Sequence, residues 1–471
     1  MTEILQTAPP SAASAAPTTS PPAPAPGALT RRPGRWIDGW DPEDTAQWER
    51  EGRRVARRNL NWSIFAEFLG FVVWQLWSIV AVALPAAGFQ LTTSEIFWLI
   101  SIPSLVGATL RIPYSFLVPI FGGRNWTIVS AGLLLVPAVM LAVTVSNPDT
   151  PFWVLVLAAA LAGFGGGNFA SSMSNITFFY PQREKGWALG LNAAGGNLGA
   201  AVAQFTVPVV ITIGAGATLN LPVAGWIWVP FILLAMFGAW RYMDNLANAK
   251  ADLSGSAAAL KEPHLWLLAL LYIGTFGSFI GFASVFPKLI ADQFPEFSTI
   301  GVLGATVSLA FLGALVGSLA RPYGGRLSDR FGGARITMVA FAAMAVITLA
   351  VLATLPLGSF WVFLGLFLLL FATAGVGNGS TYRMVPIVFA MRSAHGAGDV
   401  STQRKAAAAL GLISAIGAYG GFLIPQALNL SFQATGGYAA AFTGFVAGYL
   451  VLLAVTWAVY VRPRHLREQK I

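Results

Sequence analysis

Two stretches of the chain decide its fold: RIPYSFLVPIFGGR at residues 111–124 and RPYGGRLSDRFGGAR at residues 321–335. Each stretch begins with an arginine inside a long apolar segment. Each then reaches Phe-Gly-Gly ten residues later, at Phe121 in the first stretch and at Phe331 in the second. The same order of features in both halves of the chain indicates an internal repeat.

Two further pairs of segments support the repeat. WALGLNAAGGNLG at residues 187–199 parallels AALGLISAIGAYG at residues 408–420, and AGFGGGN at 162–168 parallels AGVGNGS at 374–380. Parallel repeats of this kind are typical of membrane carriers, which bind their cargo between the repeats near the middle of the bilayer.

The composition places the repeats in a membrane. Of 471 residues, 56% are hydrophobic and only 10% are charged, whereas soluble domains carry about 25% charged residues. These values exclude a soluble globular protein, a disordered chain and a nucleic-acid binder. With no cysteine and only three histidines, the chain has almost nothing from which to build a metal site or a catalytic centre. We therefore expect no metal, no cofactor and no enzymatic activity.

The apolar segments give the number of membrane spans. A span needs about 20 apolar residues, and twelve such segments follow Asn59. They are residues 62–85, 92–119, 124–146, 151–180, 186–213, 222–243, 264–290, 300–327, 335–356, 360–390, 406–430 and 438–460. The sequence thus predicts an all-α membrane protein of twelve transmembrane helices in two six-helix bundles.

The placement of lysine and arginine predicts the orientation. With the N-terminus inside, the external connections contain only Lys288, and the other connections hold many cations. The cytoplasmic connections contain Arg124, Arg183, Lys185, Arg241, Lys250, Lys261, Arg326, Arg330, Arg335, Arg392, Arg404 and Lys405. By the positive-inside rule, both termini are predicted to be cytoplasmic, in a multi-pass protein of the cell (inner or plasma) membrane.

The polar segments divide the chain into domains. We expect a disordered Pro/Ala-rich cytoplasmic tail at 1–58, because this composition buries too little apolar surface to fold. Its basic juxtamembrane part is either a short amphipathic helix on the membrane or a solvated lead-in. The remaining predicted units are a six-helix bundle at 59–243, a cytoplasmic linker at 244–263, a second bundle at 264–461 and a tail at 462–471.

The two repeated arginines are the strongest functional signal. Ten residues of helix span about 15 Å, so Arg111 and Arg321 are both predicted to lie near the midplane. A guanidinium there costs at least about 2.5–3.5 kcal/mol, and an anion bound between the two groups is the simplest compensation. Guanidinium N–H pairs hold planar oxyanions in a bidentate manner. The alternative is that each arginine caps backbone carbonyls or extends to the interface.

Glycines recur in the fifth and eleventh predicted spans, where they let helices approach closely and let a carrier bend or slide. They are Gly186, Gly190, Gly196, Gly199, Gly411, Gly417 and Gly420. Asn192 and Asn197 lie among them, and an amide near the arginines could complete the hydrogen bonds of an oxyanion.

Glu67 bears on how transport is driven. Bringing one negative charge inward against a negative interior costs about 2.3 kcal/mol per 100 mV, so uptake needs coupling. Exchange of one anion for another needs no titratable group, whereas symport with protons needs a proton acceptor. Glu67 lies in the first span, one turn before Phe71, and could serve as that acceptor. Pairing with Arg57 and Arg58 is the alternative role of this carboxylate.

At these residues the sequence resembles the nitrate/nitrite porter family of the major facilitator superfamily, the bacterial NarK type. The similarity covers residues 59–460 and rests on ATLRIPYSFLVPIFGG, GNFASSMSNITFFYP, GWALGLNAAGGNLG, LLYIGTFGSFIGF, GSLARPYGGRLSDRFGG and AALGLISAIGAYGG. Ala193 and Ala194 depart from it, since glycines are common there in the family. GGRLSDRFGG fits the cytoplasmic loop signature of the superfamily, which is degenerate in the first half.

The resemblance implies the roles of individual residues and the partners of the chain. It makes Arg111 and Arg321 the anion-binding arginines and Asn197 a substrate contact, and it assigns the pocket aromatics to Phe71, Phe169, Tyr272 and Phe276. It implies nitrate and nitrite as partners. Nitrate uptake in exchange for nitrite export is favoured because exchange moves no net charge, and we expect the chain to work as a monomer in the bilayer. Nitrate/proton symport stays open as the alternative.

Three rival functions are also weighed. Within transporters, the rival is a carrier of another small oxyanion or of organic anions. A nitrate-binding membrane sensor is a different class, and the absence of an attached sensory or kinase domain in this sequence argues against it. An enzyme is the third class, and the chain has no catalytic constellation to support it.

Overall fold

A computed structural model describes residues 29–213, 218–249, 258–302, 304–391 and 400–463 of the chain. The described residues are almost entirely helical, and twelve long helices follow one another along the chain. They are α1 (Thr45–Ala83), α2 (Thr93–Phe121), α3 (Gly123–Thr144), α4 (Phe152–Phe179), α5 (Gln182–Thr212), α6 (Val223–Tyr242), α7 (Pro263–Gln293), α8 (Phe311–Phe331), α9 (Gly333–Leu357), α10 (Phe360–Met391), α11 (Ala408–Thr435) and α12 (Ala439–Val461).

Eleven of these helices are long and apolar enough to cross a membrane, and α8 is the exception. Helix α8 has 21 residues. From its middle to its C-terminal end it carries Arg321, Arg326, Asp329 and Arg330. The span predicted at 300–327 begins too early. Residues 300–302 and 305–307 pair as two short antiparallel strands, and the helix starts only at Phe311.

The backbone repeats between the two halves. Gly122, between α2 and α3, has φ +89°, and Gly332, between α8 and α9, has φ +93°. At both positions the Phe-Gly-Gly segment makes the same turn, in a conformation that a residue with a Cβ rarely adopts. The two groups of six helices, α1–α6 and α7–α12, are called the first and second half below.

The N-terminal region differs from the prediction of a disordered tail. Residues 1–28 lie outside the described residues, but 29–52 fold onto the end of the first half. Strand β1 (Thr30–Arg32) pairs antiparallel with β2 (Trp36–Asp38), which pairs parallel with β3 (Asn245–Leu246). We call residues 29–52 the strap, and the end of the molecule that it covers the strap face. The strap is therefore packed on the first half and is not a solvated lead-in.

Two tryptophans anchor the strap. Trp40 and Trp48 are buried, and their indole N–H groups donate to Phe178 O at 3.1 Å and to Glu184 Oε1 at 3.2 Å. Apolar burial drives the folding of this segment, because both rings pack in one cluster with the start of α1 and the α4–α5 connection. Helix α1 begins inside the strap, at Thr45, and continues without a break to Ala83.

Asp244 is the polar centre under the strap. Its carboxylate is almost fully buried and accepts from Arg35 at 2.8 Å and from Arg58 at 2.5 Å, while Arg31 lies 3.9 Å away. Asn59 completes the site, since its amide donates to Asp244 Oδ2 at 3.1 Å. The polar connection after α6, predicted as a simple linker, therefore begins as a fixed part of the first half.

Candidate functional site

The site is built where the two halves meet, and Arg111 lies at its centre. Arg111 is fully buried on α2. Its Nε donates to Gly166 O at 3.1 Å, and its Nη1 donates to Ser414 O at 3.0 Å. Its Nη2 has no hydrogen-bond partner in the described part of the chain. The guanidinium is thus held in place, and the two N–H donors of its Nη2 are left over.

Arg321 occupies the corresponding place on α8 and is 6% exposed. Its Nη2 lies 3.5 Å from the hydroxyl of Tyr272, and its Nη1 has no partner among the described residues. The ion pairs found between described residues include neither Arg321 nor Arg111 within 4 Å of a carboxylate. These two buried cations therefore have no carboxylate within 4 Å among the described residues. Capping of backbone carbonyls satisfies Nε and Nη1 of Arg111 but not its Nη2.

Phe169 lies beside both arginines. The Cζ atom of Arg111 is 4.5 Å from the centre of its ring, and that of Arg321 is 5.7 Å away. Phe276 stacks on Phe169 at 6.3 Å, and Tyr272 stacks on Phe276 at 5.3 Å. The faces of aromatic rings attract cations, so this wall stabilises both guanidinium groups, and Arg111 Nη2 and Arg321 Nη1 are left without a partner among the described residues.

The remaining predicted aromatic, Phe71, also joins this wall. Its ring lies edge-on to Phe169 at 6.2 Å and to Trp74 at 5.4 Å. Trp74 was not predicted, although its ring lies 5.3 Å from Arg111. Its position, three residues after Phe71 on the same face of α1, is the signal that could have identified it.

Two residues of the second half were also missed. Tyr382 of α10 places its ring 5.5 Å from Arg321, and Ser414 of α11 accepts from Arg111 through its carbonyl and, at 3.4 Å, through its hydroxyl. Tyr382 precedes Arg383 in the sequence. Arg383 pairs with Asp329 at 2.7 Å, and both side chains are partly exposed. Nothing in the sequence singles out Ser414, because its contact is made by the backbone across the two halves.

Asn197 lies on α5 and is fully buried. Neither its amide nitrogen nor its amide oxygen has a hydrogen-bond partner in the described residues. An unsatisfied buried amide is destabilising by about 1–3 kcal/mol, which is a reason to expect a ligand beside it. Asn192, five residues earlier, is instead used within the protein, because it donates to Glu67 Oε2 at 2.6 Å.

Glu67 is fully buried on α1. Pairing with the nearby arginines of α1 is wrong, because Arg58 pairs with Asp244 and Arg57 is exposed. Apart from Asn192, the surroundings of this carboxylate include Ser172 of α4, and it interacts electrostatically with the two central arginines. Glu67 therefore belongs to the central site rather than to the strap face.

The predicted glycines fall into two groups. A methyl group at Gly196 would lie 2.2 Å from Glu67 Oε1, and one at Gly199 would lie 2.2 Å from Phe68 O. Gly417 and Gly420 are equally crowded, against Tyr272 and against Gly277. The others have room: no atom lies within 4 Å of a methyl placed at Gly186 or Gly190, and Gly411 meets Ser115 only at 3.4 Å. Close helix packing thus explains the first group and not the second.

Hydrogen bonds between the halves concentrate on the side of the site away from the strap face. They include Gln433 to Ser94 at 2.9 Å, Gln426 to Ser101 at 2.7 Å and Gln204 to Ala283 O at 2.6 Å. These contacts hold the two halves together at that end. The site between the halves is therefore closed toward the side opposite the strap.

Chemically, the site suits a small planar anion. It offers two buried guanidinium groups beside an aromatic wall, each with one nitrogen that has no partner among the described residues, and guanidinium forks match planar oxyanions. The described residues contain no group of histidines and carboxylates suited to a metal ion.

The similarity of the chain to known proteins agrees with this chemistry. The model of the Major Facilitator Superfamily matches residues 67–425. The chain is 43% identical over 448 residues to the nitrate/nitrite transporter NarU of Escherichia coli (strain K12), covering 90% of this chain and 96% of that protein. It is 38% identical to the probable nitrate/nitrite antiporter NarK2 of Thermus thermophilus, covering 91% and 97%.

Among solved structures, a mutant form of the nucleoside transporter NupG has a similar fold. The TM-score is 0.60 at 11% identity, over 85% of this chain and 99% of that one. At this identity the likeness concerns the arrangement of helices alone.

Proposed function

We propose that this chain, which belongs to the major facilitator superfamily, transports nitrate and nitrite across the plasma membrane by alternating access, with nitrate uptake coupled to nitrite export. The chain is not an enzyme. The substrate class is supported by Arg111 and Arg321, which are both buried beside the ring of Phe169. Neither arginine has a carboxylate within 4 Å among the described residues. NarU and NarK2, which are similar to this chain over 90% and 91% of its length, are named for nitrate and nitrite.

The anion is proposed to bind between the free guanidinium nitrogens, Arg111 Nη2 and Arg321 Nη1, with Phe169 beneath it. Phe71, Tyr272 and Phe276 would form the walls, and the amide of Asn197 would complete the hydrogen bonds. Because Arg111 belongs to the first half and Arg321 to the second, an anion held by both joins the halves. Such a cargo favours closure of the site, which is the step that a rocking carrier needs.

Exchange follows from the same charges. Two buried cations without an anion destabilise the closed state, since each guanidinium in the bilayer centre costs at least about 2.5–3.5 kcal/mol. Reorientation is therefore favoured when nitrate or nitrite occupies the site. Exchange of one for the other moves no net charge, so the membrane potential neither drives nor opposes it.

The membrane topology is part of the proposal. Helix α8 would be a twelfth span, because its charged residue near the middle, Arg321, is buried between the halves rather than in lipid. With Arg124, Arg326 and Arg330 on the strap face, the positive-inside rule places that face and both termini in the cytoplasm. The structure then corresponds to a state closed to the outside, and a single chain contains both halves of the site, so we expect a functional monomer.

Two alternatives have specific consequences. Nitrate/proton symport needs a proton acceptor at the site, and Glu67 is a carboxylate of the central site. A nitrate-binding sensor would bind the anion without moving it. Purified protein in sealed liposomes separates these cases.

The experiment measures uptake of isotopically labelled nitrate into proteoliposomes at equal pH on both sides. Liposomes loaded with nitrite are compared with liposomes loaded with an inert organic anion. Exchange predicts uptake that is several-fold faster with internal nitrite, and a sensor predicts none in either case. Competition by external nitrite, chlorate and formate then defines the range of anions.

A further inference from the structure

The end of the molecule opposite the strap face is poor in positive charge. In the sequence, its connections and the adjoining two turns of each helix carry one cation, Lys288, and four carboxylates. The carboxylates are Glu95, Asp149, Asp292 and Glu296. In the proposed topology this end faces the outside, so an external anion approaches a surface whose net charge repels it. Lys288 is the group at this end that attracts it.

Lys288 is covered by an aromatic ring from the other half. It is 5% exposed, and its Nζ lies 5.6 Å from the centre of the Phe97 ring. Lys288 belongs to α7 in the second half, whereas Phe97 belongs to α2 in the first and is fully buried. The ring of Tyr438, just before α12, packs edge-on against Phe97 at 6.1 Å. A cation–π contact therefore crosses between the halves at this end.

The contact with Phe97 is part of the seam that closes the central site. Ser94 and Ser101, about one turn on either side of Phe97 on α2, accept hydrogen bonds from Gln433 and Gln426 of α11 at 2.9 Å and 2.7 Å. We call these contacts of α2 with the second half the outer gate. When the halves separate at this end, the hydrogen bonds break and the ring moves away from the ammonium group. Opening of the outer gate therefore uncovers a cation.

Lys288 has a resident counter-ion on its own helix. Its Nζ pairs with the carboxylate of Asp292, one turn later, and the hydroxyl of Tyr438 donates to the same carboxylate. All three residues belong to the second half, so they move together when the gate opens. Asp292 neutralises the ammonium group while the gate is closed. An anion that enters the open gate competes with Asp292 for that group.

Lys288 also lies in line with the central site. Ser284 precedes it by one turn on α7 and accepts a hydrogen bond from Gln75 of α1 at 3.3 Å. Phe276 of the central site lies twelve residues before Lys288, which corresponds to about 18 Å of helix. In a water-filled mouth the Debye length is about 8 Å, so the attraction of the two central arginines is largely screened at this distance. Lys288 therefore supplies an attraction that the central site does not.

We propose that Lys288 is the external capture site of the carrier, which binds the small oxyanion in place of Asp292 once the outer gate opens and Phe97 uncovers it. This inference rests on the proposed function and adds a second anion position, nearer the outside than the central site. An ammonium group is a point charge with three donors, which suits brief capture of an anion in any orientation. The guanidinium forks of the central site suit its final, oriented binding.

The test measures the KM for labelled nitrate separately at each face of the membrane. Right-side-out vesicles report the external face and inside-out vesicles report the strap face, both loaded with nitrite and prepared from cells without nitrate transport of their own. Lys288→Gln should raise the external KM by about 2- to 5-fold, the effect of a partly exposed charge pair. The KM at the strap face should stay unchanged. Lys288→Arg keeps the charge and should keep the external KM near that of wild type.

Asp292→Asn distinguishes capture from a purely structural ion pair. The substitution removes the group that competes with the anion and keeps an oxygen that accepts from Tyr438, so the external KM should fall. If the pair only held the gate closed, Lys288→Gln and Asp292→Asn would break the same contact and shift the KM in the same direction. Glu296→Gln, at an exposed carboxylate of the same connection, is the matched control for the change in charge and should leave the KM near that of wild type.

Two results would overturn the inference. One is an external KM in Lys288→Gln equal to that of wild type, and the other is a rise of the external KM in Asp292→Asn like that in Lys288→Gln. Absence of nitrate exchange in wild type would instead contradict the proposed function, so the two failures are distinguishable.

Discussion

Arg111 donates a hydrogen bond of 3.0 Å to the backbone carbonyl of Ser414, a residue 303 positions later in the chain. The bond joins the two halves at the central site. It fixes the orientation of the guanidinium and turns its Nη2 away from protein partners among the described residues. When the site opens on the strap side, this hydrogen bond must either break or move together with the two halves. Arg111 therefore couples the relative position of the halves to the anion site.

Arg111→Lys tests this geometry. An ammonium group carries the same charge but has no planar fork, so it would not reach Gly166 O, Ser414 O and an anion together. Loss of one charge-assisted hydrogen bond, worth about 1.5–3 kcal/mol, corresponds to roughly 10- to 150-fold weaker nitrate binding. The measurement is the concentration dependence of nitrate uptake. Arg53→Lys, at an exposed arginine, serves as the control, and near-normal affinity in Arg111→Lys would remove Arg111 from the site.

Phe169→Leu tests the shared aromatic wall. Leucine keeps an apolar side chain but removes the ring face that both guanidinium groups approach. A cation–π contact is worth about 0.5–2 kcal/mol, so we expect the KM for nitrate to rise by about 2- to 30-fold. Phe282→Leu, in the aromatic cluster of α7 with Phe367 and Phe445, should change stability rather than KM. An unchanged KM in Phe169→Leu would show that the ring only fills space.

Gly196→Ala tests the crowding of α5 against α1. The added methyl would lie 2.2 Å from Glu67 Oε1, which forces the carboxylate or the helix to move. Overpacking of this kind destabilises by about 1–3 kcal/mol, and the melting temperature of the purified protein should fall. Gly190→Ala on the same helix meets no atom within 4 Å and should leave the melting temperature equal or slightly higher. Equal effects of the two substitutions would contradict this packing.

Asp244→Asn tests the attachment of the strap. The substitution leaves Arg35 and Arg58 without their carboxylate, although Asn59 can still bond the new amide. These arginines are about a third exposed. The free energy of unfolding should therefore fall by an amount between that of an exposed pair, about 0–1 kcal/mol, and that of a buried pair, about 3–5 kcal/mol. Limited proteolysis of residues 29–52 and thermal unfolding measure it. Asp38→Asn, in the exposed pair with Arg32, should have little effect on either.

Much of the fold follows from the sequence, for a physical reason. Apolar segments of bilayer length and the Phe-Gly-Gly turns are local signals, and Gly122 and Gly332 adopt the same left-handed φ that the repeat implies. Arg111 and Arg321 come together because equivalent positions of a repeat face each other, whereas the four aromatics beside them were identified through the family resemblance. Their binding roles stay a prediction.

Other features depend on contacts that no local pattern shows. The strap is rich in charge and looks solvated, yet it folds because β2 pairs with residues more than 200 positions away, and because Trp40 and Trp48 find a buried cluster there. Ser414 enters the site through its backbone, which side-chain identity does not reveal. Helix α8 is less apolar than a span because its charges face the partner half and the strap face rather than lipid.

An experimental structure of the protein with nitrate bound tests the proposed anion site most directly. We expect a planar anion between Arg111 Nη2 and Arg321 Nη1, lying on the ring of Phe169 and in reach of the Asn197 amide. A structure in which nitrate occupies another place, or in which the two guanidinium groups each bind a protein carboxylate and no anion, would contradict it.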